Sequence, residues 1–462
     1  MRIDYVAGAT ESLLTRGERI VIEGLGFGTA RGSVTFARIN GGTVEASVAD
    51  SDWTPFTITA VVPDSAATGK ETLSVVTAPG TTLSATVHVL ARTAFNPAAL
   101  TWVTRGVYPG AVVGLALAGA EFPAASGIMN VTLYAAGGAE PGGPGGPEGP
   151  LMAPDSSVYI TFATPGGAGA IRSWRHQPAL PVRRAFAAAA VATRFNSRIA
   201  GSAFYVIGGF DATGRAQASV LGADVTADSV TGQFVFLEPL PAPRAGAIAV
   251  VRHGRIYVIG GTDTAGVPQS TVYVGRVGAD GHIDGWFSQP PLVGPRAYGA
   301  GITRYGRVTV IGGVADTVPP GGGTNAGTQR LVTGDTAPVS LLSGFFTGGW
   351  GTGPALLPEG RSQFALLDLD SLVLAVGGVY GGAATNAAET LVASVVGDSV
   401  SPFTGPVGTN RIADLSCLTE PAGTLIGLAG VTWREFDGTP RGLVVGGVDL
   451  ATQTRRTCTW GF

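Results

Sequence analysis

The chain has 462 residues, of which 72 are glycine, 30 are proline and 13% are charged. With positive mean hydropathy (+0.30) and so little charge it is a folded chain, long enough for two or three domains. A net charge of −3 without a basic cluster excludes counterion-release binding to nucleic acid, and no apolar run reaches the roughly 18 residues that membrane insertion needs.

The opening, "MRIDYVAGATESLL", lacks the apolar core of a secretory signal, so the protein is expected to be made in the cytoplasm and kept there or released by lysis. Short alternating segments follow at "GERIVIEGLGFG", "GSVTFARI", "FTITAVVP", "ETLSVVTAPG" and "SATVHVL". Period-two alternation broken by turn residues predicts a small β-sandwich over residues 1–92. A strand ending in G-x-G-F-G, then V-x-F and a late V-P, resembles an IPT/TIG immunoglobulin-like domain. That resemblance implies a spacer or docking element.

Beyond "ARTAFNPAAL" the pattern changes to a repeat. Apolar strands stop at Gly208-Gly209, Gly260-Gly261, Gly312-Gly313 and Gly377-Gly378, with starts 52, 52 and 65 residues apart, and Ala429-Gly430 reads as a weakened copy. Arg184, Arg244, Arg296, Arg361 and Arg411 stand upstream, and Trp174, Phe236, Trp286, Trp350, Phe403 and Trp460 close the units. Units of about 50 residues with four short strands are the signature of propeller blades. The doublet, the arginine and the aromatic resemble kelch repeats. Residues 105–120, with Arg105 in the arginine place and Ala118-Gly119 in place of the doublet, supply the inner pair of the first blade. The expected fold is all-β: a small immunoglobulin-like β-sandwich followed by a six-bladed kelch-like β-propeller over residues 98–462, in preference to five or seven blades.

The sequence offers little chemistry. His88, His176, His253 and His282 are scattered without metal-ligand spacing, so no metal and no cofactor are expected. The galactose oxidase family also joins kelch blades to an immunoglobulin-like domain, but its copper site needs histidines that the inner strands here lack. "GADGHIDGW" departs from the sialidase Asp box and reads as a hairpin turn. Cys417 in an innermost strand and Cys458 in an outermost one would lie about 14 Å apart, too far for a disulfide, so both thiols are expected to be free.

Insertions gather in the connections between second and third strands, at residues 137–155, 210–217, 262–269, 314–329, 379–387 and 431–440. These loops carry the candidate binding face: Phe210, Arg215, Tyr380, Trp433, Arg434 and Phe436. Exposed aromatics beside arginine suit glycan stacking or a protein interface. The sum resembles bacteriophage tail, baseplate or capsid-decorating proteins. It implies a non-enzymatic virion component, bound to other virion proteins through the N-terminal domain and the 137–155 loop, and displaying the propeller to host-surface glycan or protein. A carbohydrate-active kelch enzyme (of the sialic-acid epimerase or galactose oxidase kind) and an intracellular kelch adaptor are the alternatives.

Overall fold

A computed structural model describes residues 1–7, 14–123, 129–140, 153–164, 166–193, 201–252, 254–278, 280–304, 306–316, 329–340, 343–369, 371–380, 389–396, 399–409, 412, 425–435, 437–449 and 457–462. Among these the fold is all-β apart from two short 3-10 turns, Asp50–Asp52 and Pro97–Ala99. Two sheets form the N-terminal unit. One has three strands in the order Arg2–Ala7, Arg19–Leu25, Thr57–Val61. The other has five, in the order Leu14–Thr15, Thr82–Leu90, Gly69–Val76, Ser33–Ala37, Thr43–Glu45. Their facing side chains, among them Ile20, Ile22, Phe36, Ile58, Leu73 and Val89, make a core of their own. The "GLGFG" stretch has a clear physical reason. Gly26 and Gly28 take φ of +86° and +80°, and the turn they allow drops Phe27, fully buried, against Trp53 at 6.4 Å.

Six four-stranded antiparallel sheets follow. Sheet I consists of Ala116–Pro123, Met129–Ala136, Val158–Phe162 and Arg175–Gln177. Sheet II consists of Ala188–Ala192, Ala203–Ile207, Val220–Asp224 and Val235–Leu237. Sheet III is Ile248–Arg252, Arg255–Ile259, Val272–Val277 and Ile283–Gln289. Sheet IV is Ala300–Arg304, Arg307–Ile311, Thr333–Pro338 and Gly351–Ala355. Sheet V is Ala365–Asp368, Leu372–Val376, Thr390–Val396 and Ser399–Val400. Sheet VI is Ala429–Arg434, Pro440–Val445, Cys458–Gly461 and, from far upstream, Val103–Val107. The first strand of each sheet packs against the first strand of the next, and that of sheet VI against that of sheet I. Six sheets meeting edgewise in a closed ring are the arrangement of a β-propeller.

The glycine doublets explain how neighbouring sheets meet. Each second strand runs into the arginine turn of the following sheet. The second glycine donates its N–H to that turn: Gly138 to Arg184 O, Gly209 to Arg244 O, Gly261 to Arg296 O and Gly313 to Arg361 O, at 2.7–2.9 Å. Gly378 and Gly447 complete the circle on Leu425 O and Val112 O at 2.9 and 3.0 Å. The true doublets of sheets I and VI are therefore Gly137-Gly138 and Gly446-Gly447. Ala118-Gly119 and Ala429-Gly430 lie instead in first strands, and Arg105 lies in the fourth strand of sheet VI, not in the arginine place. Arg411 lies outside the described residues. Insertions of unequal length broke the spacing on which the sequence register rested.

Among the unit-closing aromatics, Trp286 donates Nε1–H to Glu238 O beyond sheet II, and Trp350 donates to Pro290 O beyond sheet III, at 2.9 and 3.0 Å. These two bridge adjacent sheets. Phe236 is 58% exposed and does not.

The cysteine expectation fails. Cys458 is disulfide-bonded, and Cys417 is the chain's only other cysteine. Cys458 sits on the third strand of sheet VI, because Val103–Val107 takes the outermost place, and the innermost place belongs to Ala429–Arg434, so both strand assignments behind the 14 Å separation were wrong. Cys417 lies outside the described residues. A thiol reagent should label neither cysteine in denaturant before reduction and both after it, as mass spectrometry would read directly.

Candidate functional site: the axial collar and its loop face

Two residues past each sheet's arginine, or its equivalent, the chain turns into the first strand. The turn residues are Gly114, Phe186, Gly246, Tyr298, Gln363 and Gly427. All six adopt left-handed φ, between +52° and +68°. This conformation lets each N–H reach back to the preceding sheet's turn. Phe186 N donates to Gly114 O, Gly246 N to Phe186 O, Tyr298 N to Gly246 O and Gln363 N to Tyr298 O, at 2.8–2.9 Å. Gly427 N to Gln363 O at 3.3 Å and Gly114 N to Gly427 O at 3.1 Å close the collar. At Gly114 and Gly246 a glycine precedes a large aromatic residue for a steric reason. A Cβ on Gly114 would stand 2.6 Å from the Phe186 ring, and one on Gly246 would stand 2.4 Å from the Tyr298 ring. The two rings meet edge to face at 5.5 Å.

The collar floors a pocket of about 160 Å³ lined by its six members and the residue after each: Leu115, Ala187, Ala247, Gly299, Phe364 and Leu428. Among the described lining residues Tyr298 alone is ionisable. Burial drives its pKa up, and the Thr262 hydroxyl is the smaller, opposing influence. Behind the collar the arginines are structural. Arg184, Arg244, Arg296 and Arg361 are 2–4% exposed, and burial lowers the pKa of the first three. Arg361 donates Nη1–H to Gly377 O at 2.7 Å, and Arg296 pairs with the buried Asp335 at 3.1 Å. Arg361 and Arg296 thus anchor their turns to the first glycine of their own doublets, Gly377 and Gly312, whereas Arg184 and Arg244 donate to the hydroxyls of Ser219 and Thr271 just before the third strands.

Connections between second and third strands emerge on this same face. Two share one build. Asp211 Oδ1 accepts from Thr213 N and Arg215 N while Oδ2 accepts from Gln217 Nε2, and Asp263, Ala265, Val267 and Gln269 repeat the set. Desolvation, the largest contribution, raises the Asp211 carboxyl, but the Thr213 hydroxyl, the Arg215 and Thr213 N–H groups and nearby Arg184 together hold it below the usual aspartate range. The loops are fixed by their own hydrogen bonds.

The structure scatters the sequence-derived candidates. Arg215 is exposed at the tip of its loop. Phe210 is 3% exposed and packs behind Phe186 at 6.2 Å, so it supports the collar from within. Tyr380 belongs to a two-residue strand, Val379–Tyr380, paired with Arg361–Ser362. Trp433 and Arg434 end the first strand of sheet VI, 4% and 7% exposed, on the side away from the collar. The connection counted as residues 431–440 is really part of that strand and its hairpin; the second-to-third connection of sheet VI begins at Gly446. Phe436 lies outside the described residues, as do 141–152, 317–328 and 381–388 of the long loops. The base of the Gly/Pro loop is a ladder of Ala139–Glu140 with Ala153–Pro154.

Because Trp433 is core, Trp433→Ala is expected to lower stability by about 3–5 kcal/mol. Arg215→Ala should stay within about 0.5 kcal/mol. Parallel thermal melts of the two variants check this. The collar residues Phe186, Tyr298 and Gln363 escaped notice in the sequence, although "RAFA", "RAGA", "RAYG" and "RSQF" aligned on the arginine display the position.

No protein-family model matches the chain. Beta-scruin of Limulus polyphemus, a kelch-repeat protein, is 29% identical over 167 residues, which are 35% of this chain and 16% of that protein. The chain thus spans well under two thirds of the curated relative it matches. Among solved structures YjhT, a kelch β-propeller, has a TM-score of 0.48 at 15% identity, covering 76% of this chain and 95% of that one. With the ring of four-stranded sheets, the likeness to Beta-scruin supports a kelch-type β-propeller.

Proposed function

We propose that the protein is a non-enzymatic structural and binding protein. In this reading a six-bladed kelch-type propeller is carried by an immunoglobulin-like, IPT/TIG-type sandwich in a virion assembly, such as a bacteriophage tail, baseplate or capsid. The collar pocket is the observation that carries the binding part. At the axis of the loop face it presents apolar side chains, backbone and one amide, and its single phenol is kept protonated by burial. Such a lining suits recognition by shape and hydrogen bonding, and among its described residues none is a general base or nucleophile at neutral pH.

Two contacts support a display role. Thr93 Oγ1 donates to Asp437 O at 2.9 Å, and Phe95 meets Phe462 at 5.2 Å, so the segment joining sandwich to propeller is packed down and not a free tether. A docking module joined in this way would hold the loop face at a set angle to whatever it docks on. The partners are then other virion proteins, through the sandwich and the 137–155 loop, and host-surface glycan or protein on the loop face. Mass spectrometry of density-purified phage particles tests this: peptides of the chain at a fixed ratio to a capsid protein would support it. Recovery of the chain only in the soluble lysate would overturn it.

A further inference from the structure

Arg252 ends the first strand of sheet III opposite Arg255, and Arg304 holds the same place in sheet IV opposite Arg307. Both are buried, 3% and 2% exposed, at the end of the inner strands away from the collar. Arginine stays charged at any accessible pH, so a buried guanidinium needs a counter-charge or a full set of acceptors. Arg304 has one: its Nη2 pairs with the carboxylate of Asp368, on the first strand of the next sheet. For Arg252 the same place on the next sheet is Thr303. Asp368 lies opposite Val373 and Thr303 opposite Val308, each four residues before the first glycine of its doublet. Arg252 Nη2 is buried without a hydrogen-bond partner among the described residues.

We propose that Arg252 is the binding site for a small free carboxylate, which takes the place beside it that the Asp368 side chain takes beside Arg304. The protein supplies the template for the ligand's chemistry. One sheet further round, an equivalent arginine is satisfied by a carboxylate carried on the chain, and here that carboxylate is a threonine. A planar guanidinium accepts a carboxylate through two parallel N–H···O bonds, more closely than it accepts a spherical anion. The near-complete burial of Arg252 restricts the ligand to a few atoms, of the size of acetate or formate. The site stands apart from the loop face, so its fate does not depend on the binding role proposed above.

Thermal unfolding of the full chain in sodium acetate against sodium chloride at equal ionic strength tests the assignment. The wild type should gain about 3 °C in acetate near saturation. Thr303→Asp, which installs the missing carboxylate, should raise Tm in chloride and abolish the acetate gain. Arg252→Met should abolish the gain as well, and it decides the matter should Thr303→Asp fail to fold. No acetate gain in the wild type, or an equal gain in wild type and Arg252→Met, would overturn the proposal.

Discussion

A chain begun at Thr93 is expected to unfold in one cooperative transition, whereas a chain begun at residue 109 should lose that transition and aggregate. The difference is the ring closure. Val103–Val107 forms the outer strand of sheet VI, with Val107 opposite Cys458, Gly106 opposite Thr459 and Val103 opposite Gly461. Upstream of it Trp102, fully buried, donates Nε1–H to Thr390 Oγ1 of sheet V at 2.9 Å and meets Phe462 of sheet VI at 5.2 Å. Beginning at 109 removes the strand, the indole and Leu100 together, and leaves Cys458–Gly461 as a bare edge. Loss of a buried Trp alone is worth about 3–5 kcal/mol, against the roughly 5–15 kcal/mol that keeps a domain folded. Trp102→Ala in the full chain gives the milder form of the experiment. Circular dichroism melts with light scattering check both, and matching melts for the two truncations would show that the ring closes without its first strand.

That closure was hidden in the sequence for a physical reason. A strand that pairs with residues some 350 positions away carries only the local pattern of a strand, and "VTRGV" is equally compatible with an inner or an outer place. Spacing from the nearest arginine put it inside, and the pairing of Cys458 with Val107 puts it outside. The cysteine error follows only in part from that misplacement: moving Cys458 in by one strand still leaves about 10 Å across two strand spacings, and the innermost place assigned to Cys417 belongs to Ala429–Arg434. Short-range signals were legible: the doublets of sheets II to V mark second-strand ends because their chemistry is local and repeated. Trp433 was misjudged because "GVTWREFDGTPRG" alternates as a strand does and also carries turn residues. The weakened doublet before it set the register one connection early. Collar residues look like nothing in isolation; only six turns brought to one axis turn their backbone into a site.

The glycines that end the second strands should be the least replaceable surface-independent positions of the propeller, and Gly260→Ala tests this most sharply. Gly260 has φ +63°, and a Cβ there would stand 2.1 Å from Arg296 O, a backbone atom of the next sheet that no rotamer change can move. The left-handed conformation costs an L-residue about 1–2 kcal/mol. Relief of the overlap must also push sheet IV from sheet III, which lengthens the Gly261 N to Arg296 O bond of 2.8 Å and opens packing behind it. The sum is expected to reach about 4 kcal/mol, the range reserved for substitutions with a definite steric cause. Gly41→Ala is the matched control: its φ is +88°, but nothing stands within 4 Å of the new Cβ, so only the backbone strain of about 1–2 kcal/mol remains. Denaturant titration of both variants separates the two contributions. Equal losses would mean that the doublet is kept for its backbone angles alone, and that the sheets have room to part.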